Sequence, residues 1–169
     1  VTPSPSLRKL IKKSWDLIDR SFRVRRENRE AFREILERKG QVATTLRLMH
    51  RCGVLGRYLP EFGALDCLVQ HEFFHRYTAD EHTLRCIDQL DALVENDDPK
   101  VSIYRDIIVK HPDPYALYIA LILHDTGRAE NVREHIDGSA MLAARLCKRL
   151  QITGGRRCLL YTSDAADEL

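Results

Sequence analysis

A run of nine uncharged residues, YALYIALIL at positions 115–123, constrains the fold more than any other part of this sequence. Asp113 is a good helix N-cap, Pro114 suits the first helical position, and Gly127 is placed to end the helix. Because apolar residues surround the axis of such a helix, it must be covered on every side. The sequence therefore predicts an all-α core with this helix at its centre.

The apolar run closes with two adjacent residues that commonly bind metals, His124 and Asp125. Both are expected in the last turn of the helix, where the negative end of the helix dipole favours a cation. Burying a carboxylate without a partner is expensive, so the pair needs a cation or a base. The alternative interpretation is a core histidine beside a polar residue that ends the helix.

A second informative stretch, HEFFHRYTADEHTLRCIDQLDAL, occupies positions 71–93. Thr78, followed three residues later by Glu81, has the pattern of a capping box and predicts a helix that starts at Thr78. On that frame His82 lies in the first turn and can face inward, whereas Asp80 and Glu81 are interpreted as first-turn residues that favour the helix dipole. The residues at helical spacing along the predicted inner face are Leu84, Ile87, Leu90, Asp91 and Val94.

The composition indicates an ordinary intracellular domain. The 169 residues suffice for one domain with a sizeable core. No apolar run is long enough to span a bilayer and no signal-peptide pattern is present, so a soluble, cytoplasmic protein without a membrane partner is expected. The five cysteines lack CxxC spacing, which argues against a zinc cage and a disulfide framework. Residues 1–40 hold 12 Lys/Arg against 6 Asp/Glu, which indicates a solvated basic face or a surface for an acidic partner.

The order of His82 and the later His124–Asp125 pair resembles the HD phosphohydrolase superfamily, an all-α fold that holds metal through an H…HD…D motif. More closely, the segments GVLGRYLPEFG, HRYTADEHTL and LILHDTGR resemble the HD domain of the bifunctional PII uridylyltransferase/uridylyl-removing enzymes. The resemblance covers about residues 28–150, and its specific part is YT-x-DEHT at this distance before HD. It implies an HD-domain helical bundle.

The resemblance also implies a set of metal ligands. Position by position, His82, His124 and Asp125 match the first three ligand positions of the family motif. His135 matches a later family histidine that contacts a second metal or the phosphate, and its surroundings are less regular than the family pattern.

Three residues are candidates for catalysis. Asp125 is both a ligand and a catalytic candidate, and Arg128 stands where the family usually has lysine. The guanidinium keeps the positive charge and can clamp a phosphate, although with a different reach. His75 is a candidate proton donor at the mouth of the site. The alternative for His75 is a histidine packed at a helix end.

The implied ligands indicate metal-assisted phosphodiester hydrolysis. Two imidazoles and a carboxylate suit Mn²⁺, Fe²⁺, Zn²⁺ or, with waters, Mg²⁺, and Mn²⁺ or Mg²⁺ is the expected cofactor. The resemblance implies that a uridylylated PII signalling protein is the partner and that UMP is released. Glutamine is expected to act only through sensor domains that are not recognised in this sequence, and no nucleic acid partner is implied.

Three segments are expected along the chain: an N-terminal linker helix at 1–26, an HD domain at 27–157, and a tail at 158–169. The last ligand Asp of the family motif should come well beyond Leu150 and is not found, so the HD domain is expected to be truncated at its C-terminus. Residues 158–167 equal the translation of a transposase adapter used in sequencing libraries. The tail is therefore expected to be an artefact, the alternative being a genuine disordered C-terminus, and this fragment is expected to be inactive.

Two other functions fit the same residues. Another HD enzyme, which cleaves a free nucleotide such as a deoxynucleoside triphosphate or an alarmone, would keep the same ligands. A degenerate HD domain would instead act as a spacer or a regulatory module that binds little. An assay of UMP release from uridylylated PII beside a panel of nucleotides separates these alternatives.

Overall fold

The computed structural model describes residues 2–66, 77–126 and 135–154, with the backbone alone for 135–140. Every regular element in these ranges is helical, which confirms the all-α prediction. The α-helices in chain order are α1 (Pro5–Lys13), α2 (Arg20–Val24), α3 (Arg26–Glu37), α4 (Val42–Arg51), α5 (Leu55–Tyr58), α6 (Pro60–Gly63), α7 (Ala79–Val94), α8 (Ser102–Lys110), α9 (Pro114–Leu123) and α10 (His135–Leu150). Short 3-10 helices lie at Trp15–Leu17 and Pro99–Val101.

Helix α9 begins as predicted. Pro114 occupies its first turn, and the Asp113 carboxylate accepts a hydrogen bond from the main-chain N–H of Ala116 at 3.4 Å. Buried residues lie on several sides of this helix: Tyr115, Ala116, Tyr118, Ile119, Ile122 and Leu123. This burial accounts for its apolar sequence. Within the described ranges, no helix combines the length and the apolar character needed to cross a membrane.

Helix α9 ends earlier than predicted. The α-helix stops at Leu123, so His124 is its C-cap and Asp125 follows it, outside the last turn. The Thr126 hydroxyl donates to the Leu123 carbonyl at 2.7 Å and satisfies one acceptor that the helix leaves free at its end. The predicted stop residue, Gly127, lies outside the described residues.

Helices α3, α4, α7 and α9 all contribute residues to the hydrophobic core. Helix α4 packs along α7, and α9 contacts both α3 and α7. Phe32 and Leu36 of α3 are buried. Leu84 and Ile87 are also buried, so the predicted inner face of α7 is correct. The residues of this core that are fully shielded from solvent include Leu36, Leu46, Leu84, Ile87, Tyr118, Ile119 and Ile122.

A buried carboxylate, that of Asp91 in α7, joins three of these helices. It accepts hydrogen bonds from the main-chain N–H groups of Gly40 at 3.2 Å and Ala43 at 2.7 Å, and from the Tyr118 hydroxyl of α9. Because Gln41 makes no side-chain capping bond, Asp91 caps α4 from another helix and offsets the positive end of its dipole. Burial and the hydrogen bond to Asp91 raise the pKa of Tyr118, so its hydroxyl remains a donor.

The N-terminal segment forms two α-helices, where a single linker helix was expected at 1–26. Helix α1 ends at Lys13, a 3-10 turn follows, and α2 begins after Asp19, whose carboxylate accepts from the Phe22 N–H at 2.7 Å. The interruption occurs where Trp15 is anchored to the rest of the protein, a long-range contact that helical periodicity does not reveal.

The Trp15 indole is held from two sides. Its Nε1–H donates to the Cys52 carbonyl at 2.9 Å, and the Arg57 guanidinium stacks 3.6 Å from the ring centroid. Gly53 has a positive φ of 68°, and a Cβ there would lie 2.5 Å from the Trp15 ring. Glycine is therefore required at this position both by the backbone conformation and by the close approach of the indole.

Replacement of Tyr118 by Phe tests the link between α7 and α9. The change removes one donor to a buried carboxylate and should lower the free energy of unfolding by ~1–2 kcal/mol, measured by urea denaturation. Tyr104→Phe is the matched control, because Tyr104 is 62% exposed. Loss of its hydroxyl should lower the free energy of unfolding by less than ~0.5 kcal/mol. Equal stability of the two variants would contradict the assigned role of Asp91.

Candidate metal centre

The structure brings together three of the residues proposed as metal ligands. His82 lies in the first turn of α7, and His124 and Asp125 follow α9. The Oδ2 atom of Asp125 lies 3.7 Å from His82 Nε2 and 3.3 Å from His124 Nε2. The centroids of the two imidazole rings are 5.5 Å apart. Two imidazole nitrogens therefore converge on one carboxylate oxygen.

The orientation of His124 suits a metal ligand. Its Nδ1 lies 2.6 Å from the Leu121 carbonyl oxygen, and because a carbonyl can only accept, Nδ1 is the protonated nitrogen when the ring is neutral. Nε2 then presents a lone pair to Asp125 Oδ2, an arrangement that is repulsive unless a proton or a cation lies between the atoms. A backbone carbonyl that fixes the imidazole in this way is a common outer contact of metal-binding histidines. The donor set therefore fits a divalent cation.

Burial gives this cluster an inner and an outer side. The Asp125 side chain is 4% exposed, whereas those of His124 and His82 are 27% and 41% exposed. The carboxylate thus forms the floor, and the rings lie between it and solvent. A buried carboxylate needs a compensating charge, and the open side leaves room for further ligands from water or a substrate.

Cys86 is a member of the cluster that the sequence analysis missed. Its Sγ lies 3.7 Å from His82 Nε2, and one ligand atom each from Cys86, His82 and His124 lie within 4.8 Å of one another. Burial, followed by the negative charge of Asp125, raises the pKa of the Cys86 thiol. The spacing of four residues from His82 on one helix was the signal that could have revealed it.

The start of α7 is held by an ion-pair network instead of the predicted capping box. Thr78 is the N-cap, but its side chain makes no capping bond, so the capping-box prediction is wrong. Arg47 of α4 donates to both carboxylate oxygens of Glu81, at 2.8 and 3.2 Å, and its Nε donates to Asp88 at 2.7 Å. Arg85 also binds Glu81, at 2.9 Å. The Glu81 side chain is therefore turned towards α4 and away from the N-cap.

Other predicted site residues fall outside what the structure describes. His75 and Arg128 lie outside the described ranges, as does the tail at 158–169. His135 is the first residue of α10, and its side chain is not among those described. The roles of these residues stay predictions.

A family model matches the N-terminal part of this chain, and several known proteins match most of its length. The family model described as "Uridylyltransferase GlnD third domain" matches residues 2–58. A bifunctional uridylyltransferase/uridylyl-removing enzyme of Pseudomonas fluorescens (strain SBW25) is 36% identical over 145 residues, which are 85% of this chain and 16% of the relative. The chain belongs to this family of bifunctional enzymes.

Two further members of the bifunctional family give the same result. The enzyme of Cereibacter sphaeroides is 33% identical over 150 residues, or 88% of this chain and 16% of that protein. The enzyme of Stutzerimonas stutzeri (strain A1501) is 37% identical over 134 residues, which are 79% of this chain and 15% of that protein. The predicted resemblance is thus confirmed, and the chain spans about a sixth of the length of these curated relatives. No solved structure matches the chain.

The family match also includes residues that the sequence motifs did not reach. The matched range of 2–58 contains α1 to α5 and crosses the expected boundary between residues 26 and 27. It contains Trp15 and its partners Cys52 and Arg57. The N-terminal segment is therefore similar to the bifunctional enzymes, and the position of the domain boundary stays a prediction.

Replacement of Arg47 by Met tests whether the Arg47–Glu81 ion pair stabilises the start of α7. The loss of stability is expected to depend on pH. Arg47 is the main cause of a lowered Glu81 pKa in the folded protein. Ionised Glu81 therefore adds stability that is full above the ordinary Glu pKa of about 4.3 and is lost as pH falls through the lower folded value. Arg47→Met should cost ~1–2 kcal/mol at neutral pH and progressively less in acid, measured by urea denaturation across the pH range.

Arg26→Met is the control for the Arg47 variant. Arg26 pairs with Glu30 on an exposed face of α3, with side chains 78% and 55% exposed. Exposed pairs of this kind contribute little to stability, so Arg26→Met should change the free energy of unfolding less than Arg47→Met does. A loss for Arg47→Met that does not change with pH would contradict the role assigned to Glu81.

Proposed function

We propose that this chain carries the uridylyl-removing site of a bifunctional enzyme and that it acts by metal-dependent phosphodiester hydrolysis. The observation that carries the proposal is the convergence of His82 and His124 on the buried carboxylate of Asp125. The names of the curated relatives, uridylyltransferase/uridylyl-removing enzymes, also support the proposal. Of the two activities in that name, removal is the one that hydrolytic metal chemistry performs.

The residues of the cluster would divide the work of holding a metal. Asp125 supplies negative charge from the floor of the site, and the Leu121 carbonyl holds the His124 ring so that Nε2 faces the carboxylate. His82 closes the opposite side from α7. Mn²⁺ or Mg²⁺ is the proposed ion, with Fe²⁺ or Zn²⁺ as alternatives, and when bound it lowers the pKa of its water and offsets charge on phosphorus.

Three further residues complete the proposal without a described position for their side chains. Arg128, three residues after Asp125, is proposed to hold the phosphate through its guanidinium. His75 is proposed to donate a proton to the leaving group. His135, at the start of α10, is proposed to contact a second metal or the phosphate.

The proposed substrate is a uridylylated PII signalling protein in the cytoplasm. Hydrolysis would release UMP and restore the free tyrosine of PII. The exposed edges of His82 and His124 place the open side of the cluster towards solvent, where a modified residue on a protein surface could reach it. Glutamine would act through other parts of the longer relatives.

A chimaeric enzyme provides the test. The matched 145 residues of the Pseudomonas fluorescens relative are replaced by those of this chain, and UMP release from uridylylated PII is measured with Mn²⁺ present. His124→Ala and Asp125→Ala should each lower UMP release by about two orders of magnitude or more, because each removes a metal ligand. Uridylyl transfer should be largely retained.

Asp97→Ala is the matched control, since its side chain is 89% exposed and lies outside the cluster. It should leave both activities unchanged. UMP release that survives Asp125→Ala would overturn the proposal. Hydrolysis of free nucleotides by the chimaera, without action on uridylylated PII, would favour the alternative of a nucleotide phosphohydrolase.

A further inference from the structure

A second cluster of metal-binding residues lies outside the candidate metal centre. His50 in the last turn of α4, Asp66 after α6 and Asp80 in the first turn of α7 each offer one ligand atom, and these atoms lie within 4.8 Å of one another. His50 Nε2 is 3.1 Å from Asp80 Oδ2. The cluster therefore joins three segments that are distant in sequence.

The indication of a bound ligand comes from Asp80. It is only 6% exposed, and its Oδ1 atom is buried without a hydrogen-bond partner among the described residues. A proton on His50 would satisfy Oδ2 and leave Oδ1 unsatisfied. An ionised carboxylate in such a place is costly unless a cation lies beside it.

The surroundings of the cluster have room for a hydrated ion. A cavity of about 300 Å³ borders two members of the cluster, His50 and Asp66, and its lining also includes Arg57, Pro60, Phe62 and Gly63. The Phe62 ring meets the His50 ring edge-on, with centroids 5.7 Å apart, and so limits its rotation. Arg57, which also lines this cavity, donates to the Gly53 carbonyl at 2.8 Å and stacks on Trp15.

We propose that His50, Asp66 and Asp80 form a second divalent-cation site, separate from the His82–His124–Asp125 centre. One imidazole and two carboxylates suit Mn²⁺, Fe²⁺ or Zn²⁺, with water from the cavity as the remaining ligand. The site ties the end of α4 and the segment after α6 to the first turn of α7. Since His82 lies two residues after Asp80, the ion also fixes the position of His82.

Mn²⁺ binding by the 169-residue chain tests this proposal. Equilibrium dialysis counts ions in the native protein, in Asp125→Asn, in Asp66→Asn and in the double variant. The Asp125→Asn chain should still bind one ion, and adding Asp66→Asn should weaken that binding at least about tenfold, because a ligand is lost. Asp66 is exposed, so its isosteric replacement leaves the fold intact.

Two controls separate this site from the first. Asp97→Asn, an exposed carboxylate elsewhere, should leave Mn²⁺ binding unchanged. In the Asp125→Asn chain, Mn²⁺ should broaden the NMR signals of the His50 ring, and His50→Gln should weaken binding as Asp66→Asn does. If the Asp125→Asn chain binds no Mn²⁺, or binds it equally well with and without Asp66, the proposal is overturned. Loss of an ion in Asp66→Asn but not in Asp125→Asn would support this site and contradict the proposed hydrolytic centre instead.

Discussion

The buried carboxylate of Asp91 is the contact on which the arrangement of the site depends. It caps α4 through the N–H groups of Gly40 and Ala43 and binds the Tyr118 hydroxyl of α9, so one side chain of α7 sets the distance to both neighbours. His82 lies on the same helix as Asp91, and His124 lies at the end of the helix that carries Tyr118. The convergence of the two histidines is therefore a consequence of how these helices are joined.

Local signals in the sequence predicted the parts of the fold that depend on local physics. Asp113 and Pro114 start α9 because capping and a fixed φ are properties of neighbouring residues. Leu84 and Ile87 are buried because helical periodicity puts them on one face of α7. The helical spacing of α7 also predicted that His82 can face inward. The apolar run predicted that His124 and Asp125 lie at the end of the next helix in the site, α9. These two local predictions were enough to bring the proposed ligands together.

The predictions that failed, and the residues that were missed, involve partners far along the chain. Glu81 has the spacing of a capping-box residue, but an arginine 34 positions earlier offers it two charge-assisted bonds, which outweigh one bond to a backbone N–H. The N-terminal helix breaks where Trp15 meets the carbonyl of Cys52, 37 positions away. The pairing of His50 with Asp80 likewise joins α4 to α7. No periodicity or cap signal encodes such contacts.

The central claim is that the His82–His124–Asp125 cluster holds a divalent metal. Anomalous diffraction from crystals of this chain grown with Mn²⁺ tests it most directly. The account predicts an anomalous peak bonded to His82 Nε2, His124 Nε2 and an Asp125 carboxylate oxygen, at about 2.0–2.3 Å from each. A structure in which His82 turns away from His124, or in which no anomalous peak lies between the two rings at saturating Mn²⁺, would contradict it.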